Sequence, residues 1–265
     1  MTGWLVYSRE GAERNQTFID FWFQAAKKRG VYLELHYVDE PFPDSKPDFA
    51  VVRDMNPAYS KSLELHGIRV FNPSVVSEIC NDKWKTYCLA EKLGLPFPDT
   101  VFIPDPALMH PFPYPYVLKA CGGHGGTQVF MVTNDREAKD ACQALVGVPS
   151  VLQKPVSDLG KDLRIYVLGK KVIASMLRVS KTDFRSNFCL GGNAIPYELS
   201  SHEQLIVDSF ADALPFGLVG IDLIFDHGKA VFNEIEDVVG CRMLYGLTDV
   251  KPVELYLSYI LDRLN

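Results

Sequence analysis

Hydrophobic and polar positions along this chain repeat with a period that changes from block to block. Residues 3–8, GWLVYS, form an apolar run of strand length, and TFIDFWFQAAKKRG then spaces its apolar residues as a helix does, with Gly30 as the stop. VYLELHYV predicts a second strand, and DFAVVRD and GIRVFN predict two more with helical stretches between them. Strands that alternate with helices indicate a small α/β lobe of parallel character, ending near Pro73. Residues 81–94, NDKWKTYCLAEKLG, predict a helix with an Asn or Asp cap, a Gly94 stop and an apolar side of Trp84, Cys88 and Leu89. The proline-rich LPFPDTVFIPDPALMHPFPYPY that follows excludes a continuous helix and leaves room for one short strand before YVLKA.

Downstream the pattern becomes antiparallel. VLQKPV, DLRIYVLG and KVIASMLRV read as strands, the last two joined tightly at Gly169 and Lys170. HEQLIVDSFADAL has helical periodicity, LVGIDLIFDHGKAVFNEIE reads as a hairpin turning at residues 226–229, and PVELYLSYILDRL closes the chain as a helix. No internal repeat is visible. The fold class is α/β: an N-terminal α/β lobe followed by α+β lobes.

Composition narrows the function classes. With 265 residues, 47% of them hydrophobic, the chain can bury a core in one large domain or in two to three small lobes. A net charge of -6 argues against a general nucleic-acid surface, and the apolar runs are broken well before the span of a membrane helix. No basic segment precedes the first apolar run, so a cytoplasmic setting is expected, without nucleic-acid or membrane partners. No heptad or aromatic stripe marks an interface, and a homo-oligomer stays open. The six cysteines form no C-x-x-C and the six histidines no H-E-x-x-H, which removes zinc and thiol-redox chemistry as leading ideas. REGAERNQ after the first strand lacks G-x-G-x-x-G, so NAD binding has no support.

Candidate chemistry gathers at three places. KACGGHGGTQVF does not match a Walker phosphate loop, and QVFMV behind it predicts two antiparallel strands joined by an almost bare loop. Gly122, Gly123, Gly125 and Gly126 would let backbone N–H groups approach phosphate oxygens, with Lys119 adding a positive charge. Taken alone, the loop could equally be a plain glycine-rich hairpin with a snorkelling lysine. Further on, a hairpin centred on Gly228 sets Asp222 opposite Glu234, with Glu236 on the same face. Three carboxylates so placed repel or take up protons unless a cation neutralises them, and such ligands suit Mg²⁺ or Mn²⁺; a solvated acidic strand end is the bland alternative. Lys83, Lys119, Arg164 and Arg185 are the basic groups that bound phosphates would require.

The ordered series NDKWK, YVLKACGGHGG, GKDLRIYV, DFRSN with a following GG, GIDLIF and FNEIE resembles the ATP-grasp superfamily. More narrowly it resembles the RimK-like carboxylate–amine ligases of the alpha-L-glutamate ligase type, from about Val75 to the end. The N-terminal lobe is similar to the pre-ATP-grasp domain of that family. The implied division is a pre-ATP-grasp domain over 1–75, a subdomain with the phosphate flap over 76–155 and a subdomain with the metal site over 156–265. The resemblance implies ATP between two lobes, with Lys83 and Lys119 on its phosphates and the glycine loop closing over them. Gln153, Lys154, Pro155 and Val156 would form the adenine hinge, and Asp162 would sit near the nucleotide or the substrate amine. Arg164 and Arg185 would flank the transferring phosphoryl group, Asn187 would lie near the same oxygens, and Asp222, Glu234 and Glu236 would hold Mg²⁺.

The implied reaction is attack of a substrate carboxylate on the γ-phosphate of ATP and capture of the acylphosphate by an amine, releasing ADP and phosphate. Lys154 and Pro155 stand where relatives carry an acidic and an aromatic or aliphatic residue. EIEDVVG stands where they have Glu-x-Asn-x-Ser-Pro-Gly, so Glu236 replaces an asparagine ligand and Arg242 becomes a candidate anchor for an acidic substrate. An ATP-binding module without turnover, serving as sensor or partner subunit, and a phosphotransferase are the other readings of the same residues.

Overall fold

The computed structural model describes residues 1–41, 46–108, 112–180 and 193–264. Arg185 and Asn187 lie outside the described residues. The N-terminal strands β1 (Thr2–Tyr7), β2 (Tyr32–Tyr37), β3 (Phe49–Val52) and β4 (Arg69–Phe71) form a parallel sheet in the order β2-β1-β3-β4. Helices α1 (Arg9–Arg14) and α2 (Gln16–Lys28) lie in the crossover from β1 to β2, and α3 (Pro57–Leu65) in that from β3 to β4. All four residues of β3 are buried, as expected of a strand covered on both faces.

Helices α4 (Ser74–Cys80) and α5 (Lys83–Lys92) lead into a second, antiparallel sheet. Its strands β5 (Thr100–Ile103), β6 (Tyr116–Ala120), β7 (Val129–Val132) and β8 (Ser150–Gln153) run in the order β5-β8-β6-β7. Helix α6 (Asp135–Ala144) covers one face, where Tyr116, Leu118 and Leu152 meet Ala141 and Leu145. The apolar side expected for α5 needs correction. Its buried residues are Lys83, Thr86, Tyr87 and Ala90, whereas Cys88 is exposed and Trp84 and Leu89 are half-buried. The Lys83 amide donates to the Cys121 carbonyl at 2.9 Å, which turns Lys83 inward, and Tyr87 and Ala90 follow at i+4 and i+7.

The third sheet is antiparallel, in the order β11-β10-β9-β12-β13, from β9 (Asp158–Leu168), β10 (Lys171–Val179), β11 (Asn193–Pro196), β12 (Leu218–Asp226) and β13 (Lys229–Glu236). Side chains of β9 alternate between two cores. Leu163, Ile165 and Val167 join a core with α4, α5 and α7 (Ser201–Ala213), while Tyr166 and Leu168 join one with the N-terminal sheet, α8 (Arg242–Leu247) and α9 (Pro252–Leu264). Asp162 and Arg164 share the second face by this alternation.

Two one-residue bulges set the registers that matter. The hairpin pairs Asp226 with Lys229 around His227 and Gly228, both at positive φ, and an uninterrupted ladder from there would set Asp222 against Asn233. Asn233 is instead an extra residue, so Asp222 faces Glu234; the pairing matches the sequence expectation, and the bulge is what produces it. On β10, Ile173 is likewise extra, and Arg178 is thereby opposite Asp162 rather than Lys161.

The N-terminal lobe is tied to the end of β13. The Asn72 amide donates to the Leu218 carbonyl at 3.0 Å and to Asp237 Oδ1 at 2.6 Å, and its own oxygen accepts from the Gly217 amide at 2.5 Å. Arg53 donates to the Val239 carbonyl at 2.8 Å. Pairing these buried groups avoids the cost of leaving them unsatisfied. Among the described residues no helix is long and apolar enough to cross a membrane.

Candidate active site

Charge runs in rows across the third sheet. Arg164 on β9 pairs in register with Asp222 on β12, and Asp222 with Glu234 on β13. Glu236 falls opposite Gly220, where a side chain would obstruct: a Cβ there would lie 3.1 Å from Arg164 Cδ and 2.6 Å from Val239 Cγ2. Glycine leaves Arg164 the space to reach Glu236, to which its Nη1 and Nη2 donate at 2.8 and 2.7 Å. The same guanidinium donates to both oxygens of Asp222, from Nη2 at 2.7 Å and from Nε. Arg178 donates to Asp162 through Nε at 2.7 Å and Nη2 at 2.5 Å, and to Asp222 through Nη2 at 2.8 Å. Such forked, charge-assisted bonds orient both partners.

The protein's own cations therefore supply the first neutralisation of the clustered acids. Burial alone would raise the Asp222 carboxyl, but Arg164 and Arg178 outweigh it and hold the group below its ordinary range. Burial acts on Glu234 in the same sense and is overcome chiefly by Lys83, so this carboxyl too is lowered. Glu236 is raised, because there burial outweighs Arg164, with Asp222 and Glu234 adding repulsion. One carboxylate oxygen from each of Asp222, Glu234 and Glu236 lies within 4.8 Å of the other two. An oxygen-only donor set at this spacing fits a hard divalent cation such as Mg²⁺ or Mn²⁺.

The glycine loop between β6 and β7 closes over this row. Lys83 Nζ donates to the Gly123 carbonyl at 2.5 Å and lies 3.1 Å from Glu234 Oε2, linking the flap to the acidic cluster. Lys119 Nζ donates to Oδ1 of the bulged Asn233 at 2.9 Å. Burial pushes the Lys119 ammonium down to about 8, with Glu234 opposing and Lys83 reinforcing the shift. Gly125 and Gly126 have φ of 63° and 76°, a region that residues with a Cβ adopt only at a cost.

Two cavities meet under the flap. The first is bordered by Lys119, Gly123, Gly125 and Gly126, by the linking segment Gln153, Lys154, Pro155 and Val156, and by Asp162 and Asp222. The second is bordered by Arg164, Arg178, Glu236 and Arg242, with Met55 and Met243 as apolar wall. Lys83, Gly123, Gly125 and Glu234 border both. Of the residues singled out in the sequence, Gly122 borders neither cavity. Sequence reasoning missed Arg178, Asn233 and Gly220, which act here as ion-pair partner, lysine acceptor and spacer. For Asn233 a signal existed: the apolar residues Ala230, Phe232 and Ile235 break period two at that point.

Residues 80–251 match the RimK-like ATP-grasp domain. The chain is 31% identical over 231 residues to a protein from Xanthomonas axonopodis pv. citri (strain 306) named probable alpha-L-glutamate ligase, covering 82% of this chain and 78% of that one. It is 33% identical over 232 residues to N-acetylaspartylglutamate synthase A of Mus musculus, covering 80% of this chain and 60% of the relative. Among solved structures, D-cycloserine synthetase DcsG shares the fold, with a TM-score of 0.79 at 15% identity and complete coverage of both chains. The chain belongs to the RimK-like ATP-grasp family, and the reaction class that goes with this membership is ATP-dependent ligation of a carboxylate to an amine.

Proposed function

We propose that the protein couples the carboxylate of one substrate to the amine of an acidic amino acid through an acylphosphate, using ATP and Mg²⁺. The observation that carries this reading is the meeting of two cavities at Lys83, Glu234 and the flap. A triphosphate in the first would present its terminal phosphoryl group to a carboxylate in the second. In this reading residues 1–75 form the pre-ATP-grasp domain, 76–155 the subdomain with the flap and 156–265 the subdomain with the metal site. A cytoplasmic setting belongs to the same proposal.

Backbone of Gln153, Lys154, Pro155 and Val156 would read adenine, and the missing N–H of Pro155 leaves the neighbouring carbonyls and amides for that task. Lys83, Lys119 and the flap backbone at Gly123, Gly125 and Gly126 would hold the phosphates, whereas Gly122, which borders neither cavity, would not. Asp222, Glu234 and Glu236 would hold magnesium, which would neutralise and polarise the phosphates. Arg164 and Arg178 keep Asp222 ionised and aimed, Arg164 also orients Glu236, and Asp162 fixes Arg178. Arg164 would also face the transferring group, while the same role for Arg185 and Asn187 rests on the resemblance alone.

A carboxylate oxygen then attacks the γ-phosphorus as the bond to ADP breaks, a step that depends on alignment and charge neutralisation rather than a protein nucleophile. The closed flap keeps water from the acylphosphate. Arg242, at the second cavity, would anchor the side-chain carboxylate of the acidic amine. That substrate class is supported by the names of the relatives and by Arg242 at the border of the second cavity. A screen of acids against L-glutamate and other amines, scoring ADP release and product mass together, tests the reading. An amide of the expected mass with one ADP per bond supports it, and ATP binding without any product across the panel rejects it.

A further inference from the structure

The flap shows different residues to the two cavities. Gly123 and Gly125 border both and Gly126 only the first, whereas His124, between the two shared glycines, borders only the second. His124 therefore stands outside the wall of the cavity assigned to the phosphates. The ring instead adjoins the cavity assigned to the acid and the amine.

An amine arrives as an ammonium ion and has no lone pair for attack until a proton leaves. We infer that His124 accepts this proton, an assignment that rests on the ligase reading above. Among the described residues bordering the second cavity, the alternatives are poor. Arg164 on β9, Arg178 on β10 and Arg242 on α8 carry guanidinium groups, which offer donors and no acceptor for a proton. Lys83 on α5 is held by the Gly123 carbonyl and Glu234. On β13, Glu234 and Glu236 are engaged by Lys83 and Arg164. Partial burial, and next Lys83, push the His124 imidazole below its ordinary value, Glu234 opposing, so the ring is neutral near pH 7.

The step balances. The imidazole removes one ammonium proton, and the freed nitrogen pair forms the C–N bond while the acyl C–O bond breaks toward phosphate. The second nitrogen proton leaves with the phosphate as hydrogen phosphate, and the imidazolium returns its proton to solvent at the open side of the flap.

The test compares wild type with His124→Gln and His124→Ala on the acid that releases ADP in the screen above, starting with N-acetyl-L-aspartate. The nucleophile is either L-glutamate or hydroxylamine, which is mostly unprotonated at neutral pH and traps acylphosphates as hydroxamates. Loss of a general base should lower amide formation about 100-fold. Hydroxamate formation should fall far less, the acidic limb of the kcat–pH profile should disappear, and added imidazole should restore part of the amide rate in His124→Ala. Equal losses with both nucleophiles, or amide formation at the wild-type rate and pH profile, would overturn the assignment while leaving the ligase reading intact. A wild type that forms neither product nor ADP with any acid removes both. Thermal midpoints equal to wild type establish that the variants are folded.

Discussion

The two cavities that meet at Glu234 are built by opposite means. The first is bordered by two longer stretches of chain, the flap and residues 153–156 and 158–162 between and into the second and third sheets, together with single residues of other strands. The second gathers single side chains from distant elements: Met55 after β3, Arg164 and Arg178 on neighbouring strands, and Arg242 on α8. Contiguous backbone makes a cradle for a ligand with many acceptors, whereas dispersed charged side chains discriminate by the position of each charge. Nucleotide binding should therefore tolerate side-chain change better than acceptor choice does, except at residues common to both walls.

The largest effect is expected at the shared wall. Glu234→Gln removes a candidate metal ligand from both sides, and turnover should fall at least about 1000-fold, the several kcal/mol that metal stabilisation of phosphoryl transfer supplies. Steady-state ADP release measures it. Asp222→Asn should abolish turnover too, but it also strips Arg164 and Arg178 of a shared, buried counterion. Breaking such a pair costs about 3–5 kcal/mol, so urea denaturation should separate Asp222→Asn from Glu234→Gln. Equal stability of the two variants would contradict the ladder described here.

Smaller effects separate the cavities. Lys119→Ala should weaken ATP binding by roughly 10- to 100-fold, the worth of one charged hydrogen bond, without changing the KM for the amine. The lysine also predicts a pH dependence. Its free-protein pKa lies near 8, below the ordinary 10.5, while a phosphate beside it favours the charged form. Between those values ATP binding should take up a proton, and affinity should decline as pH rises through the window. Calorimetry in two buffers of different ionisation enthalpy reads that proton directly. The smallest effect is Arg242→Ala, expected to raise KM for an acidic amine about tenfold, roughly one exposed charged contact, and to leave the ATP Kd unchanged. An unchanged KM for every acidic amine rules Arg242 out as the anchor.

The same contrast explains what could be read from the sequence. The flap, the lysine on β6 and the carboxylates on β13 are local strings whose spacing carries their chemistry, and most strands were legible as apolar runs or periods of two, but VLQKPV, grouped in the sequence with the two strands after it, supplies β8, which pairs instead with β5 and β6 in the second sheet. Arg178 was not legible, because a regular hairpin turning at Gly169 and Lys170 aligns it with Lys161, and only the extra Ile173 moves it to Asp162. Nothing in KVIASMLRV marks that bulge, since the residues around Ile173 are half-buried on both faces. The inward turn of Lys83 was hidden for a similar reason. It follows from a bond to the Cys121 carbonyl, a tertiary contact that overrides the apolar pattern of the helix.

The account centres on a carboxylate in the second cavity attacking the terminal phosphorus of a nucleotide in the first. Turnover with an acid labelled with ¹⁸O in its carboxyl group, followed by mass spectrometry of the released phosphate, tests this most directly. The account predicts one labelled oxygen per phosphate. Phosphate without label from a turnover that yields the amide, with the departing carboxyl oxygen found in water instead, would contradict it.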